Sequence, residues 1–312
     1  MSDAINDQVQ PPHLFSFFRS SMEEGDKDDK VATTDPRCQE WIAGFGATLL
    51  CAVAPADFAS GGRGLCALED IPCGTEIMTL PMDAMLRVPD SSDEMGTAAW
   101  DFKSLDALLA ELKSADADAA RLVSRGWQMR LALLLLIEKH KVGNKSPAWP
   151  FICSLPASTT SDATGWEADG SFGEEPAAAG TRPALQLPRL DSWLQGKLAF
   201  ARRIHDGCIK CTATAPCFGG VQLQFDELLW AIHHVTTRAF EVHRGGGGAI
   251  AAHNVGNSVM LRGLVPLIDH LNHGGNAFNA VVTFETERQL FALTTTCAPF
   301  STSSASRRLR RM

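Results

Sequence analysis

The ten residues Leu264-Val265-Pro266-Leu267-Ile268-Asp269-His270-Leu271-Asn272-His273 join a short apolar run to a dense polar cluster, and they constrain the fold more tightly than any other stretch. Residues 264–268 read as a buried strand or strand end, in which Pro266 permits only incomplete ladder pairing. Asp269, His270, Asn272 and His273 then fall within five positions, and Gly274 and Gly275 free the backbone for close approach to another group. Taken alone, the pattern fits either a polar loop closed by two glycines or a binding site.

A second glycine cluster, Gly61-Gly62-Arg63-Gly64-Leu65, opens the run 65–80, which reads as two short strands with a turn at Gly74. By itself that cluster is equally a hairpin loop. Upstream, Trp41, Ile42 and Phe45 have helical spacing, and residues 1–35 are polar and acidic apart from a short apolar element at 14–18, so the domain should begin near residue 36. Residues 105–112 should form a helix with Ser104 as N-cap. The stretch 127–141 is apolar nearly all round and should be a buried core helix ending by Gly143. Residues 157–183 are rich in Ser, Thr, Ala, Gly and Asp and should form a flexible loop, with helix resuming at 190–204. Asp226 can cap a further helix whose core stripe is Leu228, Ile232, Val235, Ala239 and Val242. Trp230, His234 and Arg238 lie on another side of it. Arg238 could sit over Trp230, and His233 and His234 read as surface residues.

Charge narrows the partners. Of 28 basic residues, Arg307, Arg308, Arg310 and Arg311 sit in the last six positions; the remaining 24 face 36 acidic residues, a balance of −12. An acidic body argues against a general nucleic-acid binder and suits a basic protein partner. The apolar run 131–137 is too short to span a bilayer, and the acidic first thirty residues lack the pattern of a secretory signal. Nine scattered cysteines fit free thiols in an intracellular setting. His205, Cys208, Cys211 and Cys217 raise a zinc alternative, although one Cys pair plus strays is not the usual structural-zinc pattern.

Four blocks, 62–81, 131–156, 225–240 and 264–273, occur in the order found in SET-domain protein methyltransferases. The chain most resembles the subgroup of Rubisco large-subunit lysine methyltransferases and actin-histidine methyltransferase. That resemblance implies an α+β SET-type fold of short, mostly antiparallel strands with a large helical insertion at about 100–240, the whole domain spanning 36–294. It implies S-adenosylmethionine as cofactor, with Gly62, Arg63, Gly64, Arg238, Asp269, Asn272 and His273 at the cofactor site, and a protein substrate methylated on lysine or histidine. Cys66 departs from the arginine that some relatives carry there.

The resemblance ends near residue 295. Relatives continue into a glycine–acidic–tyrosine segment that closes a pseudoknot and whose tyrosine orients the acceptor amine. This chain has no tyrosine at all, and Phe291 and Phe300 offer no hydroxyl. No catalytic residue is therefore assigned, 295–312 is expected to be a tail foreign to the family, and the chain is expected to be C-terminally truncated. Three functional readings follow: a protein methyltransferase, a catalytically silent SET-like binding module, or a zinc-stabilised interaction domain.

Overall fold

The apolar content of the strands decides which of them lie at the centre. In the computed structural model, Glu76–Pro81 is buried at four consecutive positions and Leu290–Thr295 at four of six, so both are covered on two faces; Ala280–Glu285 is largely half-exposed. The structure describes residue 44 and residues 46–58, 62–88, 100–146, 148–155, 188–211, 214–244, 259–273, 280–296 and 307–311. The expectations at 1–35, at Trp41, Ile42 and Phe45, and at 157–183 lie outside these residues.

In chain order the elements are β1 (Thr48–Leu49), β2 (Val53–Phe58), β3 (Gly62–Ala67), β4 (Glu76–Pro81), β5 (Leu86–Arg87), α1 (Phe102–Ala115), α2 (Ala117–Arg125), α3 (Trp127–Ile137), α4 (Trp149–Ser154), α5 (Pro188–Ile209), α6 (Thr214–Cys217), α7 (Phe225–Arg238), β6 (Phe240–Arg244), β7 (Val259–Leu264), β8 (Asn272–His273), β9 (Ala280–Glu285), β10 (Leu290–Thr295) and β11 (Arg307–Arg311). The strands form two sheets. One runs β1-β4-β10-β9-β11-β3-β2, with β8 also paired to β11; the other runs β5-β7-β6. Among the described residues most pairings are antiparallel, and only β11 pairs in parallel, with β8 and β9. Gly74 makes the turn before β4 with φ +76°, as the glycine between two strands requires.

The helices occupy the middle of the chain and pack through α3. Residues 131–137 are all fully buried, and α3 packs against α7, whose Leu228, Ile232 and Val235 face the core. A π-helical turn, Glu138–Val142, extends α3 and stops at Gly143, where φ is +55°. Its first residue, Glu138, is wholly buried: Oε1 accepts from the Asp101 amide at 2.7 Å and Oε2 from the Ser146 hydroxyl at 2.6 Å. One carboxylate thus ties the entry of α1 to the exit of α3. Desolvation pushes its pKa up, against the opposing effect of both hydrogen bonds.

Two helix starts differ from expectation. Asp101, not Ser104, caps α1, accepting from the Ser104 amide at 3.0 Å, and the Ser104 hydroxyl bonds the same carboxylate. Gln224 is the N-cap of α7 without a side-chain bond, and Asp226 lies inside its first turn. His234 is buried rather than on the surface, edge-on to Trp230 with ring centroids 4.8 Å apart. Trp230 is covered by the Lys139 ammonium at 4.4 Å, not by Arg238.

The C-terminal stretch also differs. Residues 307–311, expected to belong to a tail foreign to the family, take an internal position in the larger sheet as β11. Leu309 pairs with Leu65, Arg310 with Asn272 and Arg311 with Ala280.

Candidate functional site

The apolar run ahead of the polar cluster is buried as expected, at every residue from 263 to 271, but the strand β7 ends at Leu264 and does not extend to Ile268. The chain then turns sharply. Leu267 adopts φ 66°, ψ −43°, a strained conformation for a branched side chain, and a 3₁₀ turn, Ile268–His270, follows. The turn is fixed by amide bonds from Asp269 to the Val265 carbonyl and from His270 to the Leu267 carbonyl, each 3.0 Å. Asp269 and His270 are thereby presented on the inside of the protein.

Arg238, the last residue of α7, reaches this turn. Its Nη1 donates to Asp269 Oδ2 at 3.1 Å and lies 3.5 Å from the Asp269 carbonyl. The Asp269 side chain is fully buried and that of Arg238 partly buried, 18% exposed. A charge pair this deep is tolerated only with close geometry. The second carboxylate oxygen, Oδ1, is buried without a hydrogen-bond partner, with His270 Nε2 3.9 Å away. A buried acceptor left open in this way is costly to the fold and marks a place where a further donor would be welcome.

The remaining sequence-predicted residues lie on two strands separated by β11. Gly62, Arg63 and Gly64 are on β3, paired with Phe58, Asp57 and Ala56 of β2, and Gly64 is buried. Asn272 and His273 are β8, paired with Arg310 and Arg311. Leu309 and Arg310 are neighbours in β11, the first opposite Leu65 and the second opposite Asn272, so the Gly-Arg-Gly strand and the Asn-His strand meet across one strand. Beneath them, β3 packs against the 3₁₀ turn that holds Asp269. All seven predicted residues therefore fall in two connected clusters, the Arg238–Asp269 pair and the β3/β8 strands. The sequence reading assigns no role to His270, which is as buried as Asp269, and does not foresee the positive φ at Leu267.

The cysteine cluster is not organised as a metal centre. Cys211 Sγ donates to the Gly207 carbonyl and Cys217 Sγ to the Ser104 carbonyl, both at 3.3 Å, and His205 Nε2 bonds the Leu223 carbonyl at 3.1 Å. Among the described residues no group of three or more His, Cys, Asp or Glu could hold a metal ion. Burial pushes the Cys208 thiol up to about 12, so it is held as the uncharged thiol. Cys51, Cys66, Cys153, Cys208, Cys211 and Cys217 are free thiols; Cys73 is disulfide-bonded, contrary to the expectation that all the cysteines are free. No helix among the described residues is long and apolar enough to cross a membrane.

Comparison with known structures identifies this architecture. The SET domain of LSMT bound to lysine and AdoHcy matches with a TM-score of 0.53 at 18% identity, over 89% of this chain and 53% of that one. The chain has the SET-domain fold. Rubisco LSMT bound to sinefungin and monomethyllysine matches with a TM-score of 0.51 at 18% identity, over 89% of this chain and 52% of that one. The chain thus spans about half the length of these proteins. No family profile and no curated protein sequence matches it. The α+β SET-type fold with a helical insertion is therefore the observed one.

Proposed function

We propose that the chain binds S-adenosylmethionine on its strand layer and serves methyl transfer to a protein side chain, lysine first and histidine second. The observation that carries this reading is the meeting of the Gly62–Gly64 strand and the Asn272–His273 strand across β11, above the Arg238–Asp269 pair. Two motifs from opposite ends of the chain converge there. The SET-fold structures it resembles hold AdoHcy or sinefungin, and one holds monomethyllysine, which supports the same assignment here.

The residues present fit such a cofactor. Gly62 and Gly64 remove side-chain bulk where backbone would approach it, Asn272 and His273 lie on the strand across β11, and the open Asp269 Oδ1 awaits a donor. When bound, S-adenosylmethionine supplies a sulfonium methyl for in-line displacement. The chain's own task is alignment and exclusion of water, and the acceptor must be a neutral amine, which a desolvated channel favours. Arg238 acts as a positioning residue: paired with Asp269, it holds the 268–273 segment in place. No tyrosine is available to orient the acceptor, and no catalytic residue is assigned.

That lack favours a second reading, a module that binds cofactor or a protein partner without transferring methyl. The acidic body suits a basic protein partner rather than nucleic acid under either reading, and six free thiols among the seven described cysteines favour an intracellular setting. The two readings separate in one assay: incubate the purified chain with methyl-labelled S-adenosylmethionine and basic proteins. Label on a lysine or histidine supports the enzyme; saturable cofactor binding without label supports the silent module. A folded chain that neither binds nor transfers rejects both.

A further inference from the structure

The sheet order contains a weak link. Without β11, the path β1-β4-β10-β9-β11-β3-β2 separates into a four-stranded sheet and the β2–β3 hairpin, and β3 and β9 each expose an unpaired edge. A two-stranded hairpin is marginal by itself, and an open edge is a template for another strand. The strand that fills this gap is Arg-Arg-Leu-Arg-Arg, the most basic pentapeptide of a chain that is otherwise acidic. It divides its pairing: Arg307, Arg308 and Leu309 run antiparallel to Ala67, Cys66 and Leu65, and Arg310 and Arg311 run parallel to Asn272 and His273. No pattern of alternating apolar residues makes it a strand of its own accord. Its conformation comes from the two edges that receive it.

We propose that the gap between β3 and β8/β9 is a strand-accepting site for an extended arginine-rich segment, occupied in this protein by its own residues 307–311, and that this occupant is exchangeable. Main-chain pairing to two edges supplies the affinity, and the acidic body attracts the basic strand. The register places Leu309 opposite the fully buried Leu65. The inference stands on backbone pairing and does not require the methyltransferase reading.

The test keeps the chain folded while freeing the tail. A protease site replaces residues 301–306, the purified protein is cut, and a fluorescently labelled peptide of residues 303–312 is added. Labelled peptide should enter the cut protein, displace the native tail and bind more weakly as salt rises, while the uncut protein should take up at least tenfold less. A peptide carrying Leu309→Pro should not enter. Hydrogen exchange should show loss of protection at residues 65–67 when the tail is washed out, with α3 unchanged. Equal uptake by cut and uncut protein overturns the proposal. So does a washed-out tail that leaves residues 65–67 as protected as before. If the cut tail never leaves and no labelled peptide enters, β11 is a permanent strand and exchangeability is wrong. Binding of S-adenosylmethionine, measured in parallel on the uncut protein, tests the cofactor reading separately.

Discussion

The helical insertion and the strand layer hold their most deeply buried carboxylates, Glu138 and Asp269, in different ways. In the insertion the two carboxylates that tie helices together are saturated: Glu138 accepts on both oxygens, and Asp116 accepts from the Ala119 amide at 3.1 Å and pairs with Arg203 at 2.8 Å and Lys210 at 3.1 Å, while Glu227 keeps one buried oxygen open. In the strand layer, Asp269 keeps one buried oxygen open, Leu267 is strained, and the sheet depends on a strand of four arginines. The insertion is built for stability. The strand layer accepts local costs of the kind found where a fold binds something.

The sharpest way to break this contrast is Arg238→Met. It strands the Asp269 carboxylate in the interior, and urea unfolding should show a loss of about 3–5 kcal/mol. Adding Asp269→Asn should recover much of it, because the uncompensated charge is gone. If the single variant is as stable as the parent, the pair is not a clamp.

Leu134→Ala in the insertion should cost about 2–5 kcal/mol, since Leu134 is fully buried in α3. Below its melting temperature this variant should bind S-adenosylmethionine with the parent's affinity, which Arg238→Met should not. Equal effects of the two variants on binding would erase the division between the regions.

Two glycines compare the tightness of packing directly. A Cβ at Gly263 in β7 would lie 2.4 Å from the Leu86 carbonyl oxygen, and one at Gly207 in α5 2.5 Å from Ala119 Cβ. Alanine at either site should destabilise by about 1–3 kcal/mol. The Gly263 cost should be the larger, because a paired backbone carbonyl cannot move aside as readily as a helix can shift.

The smallest effect is a pH slope. Burial raises the Glu138 pKa in the folded state above its unfolded value, so its contribution is complete below the ordinary carboxylate pKa and is lost as pH rises through the raised value. Glu138→Gln should therefore match the parent near pH 4 and gain on it toward pH 8, measured by thermal melts in matched buffers. A constant difference across that range would show that Glu138 does not titrate with folding.

Much of the insertion was legible in the sequence. The unbroken run 131–137 could only be buried, and Leu228, Ile232 and Val235 repeat at helical spacing. What eluded it were choices between near neighbours and contacts made across the fold. Asp101 and Ser104 compete for one cap and the stronger acceptor wins, while His234 is buried because Trp230 offers it a ring edge. In the strand layer, the Asn-His and Gly-Arg-Gly segments were recognisable by resemblance, yet the Arg238–Asp269 pairing joins distant positions and leaves no local signal. β11 is the extreme case. Its strand character exists only once β3 and β8 provide edges, and its composition points toward solvent.

Calorimetric titration of the purified, folded chain with S-adenosylmethionine tests the central claim most directly. One-to-one saturable binding, weakened about tenfold or more by Arg238→Met and left intact by Leu134→Ala, is the predicted result. A folded chain that gives no binding heat up to millimolar cofactor, and whose amide exchange at residues 65–67 does not respond to it, would contradict the account.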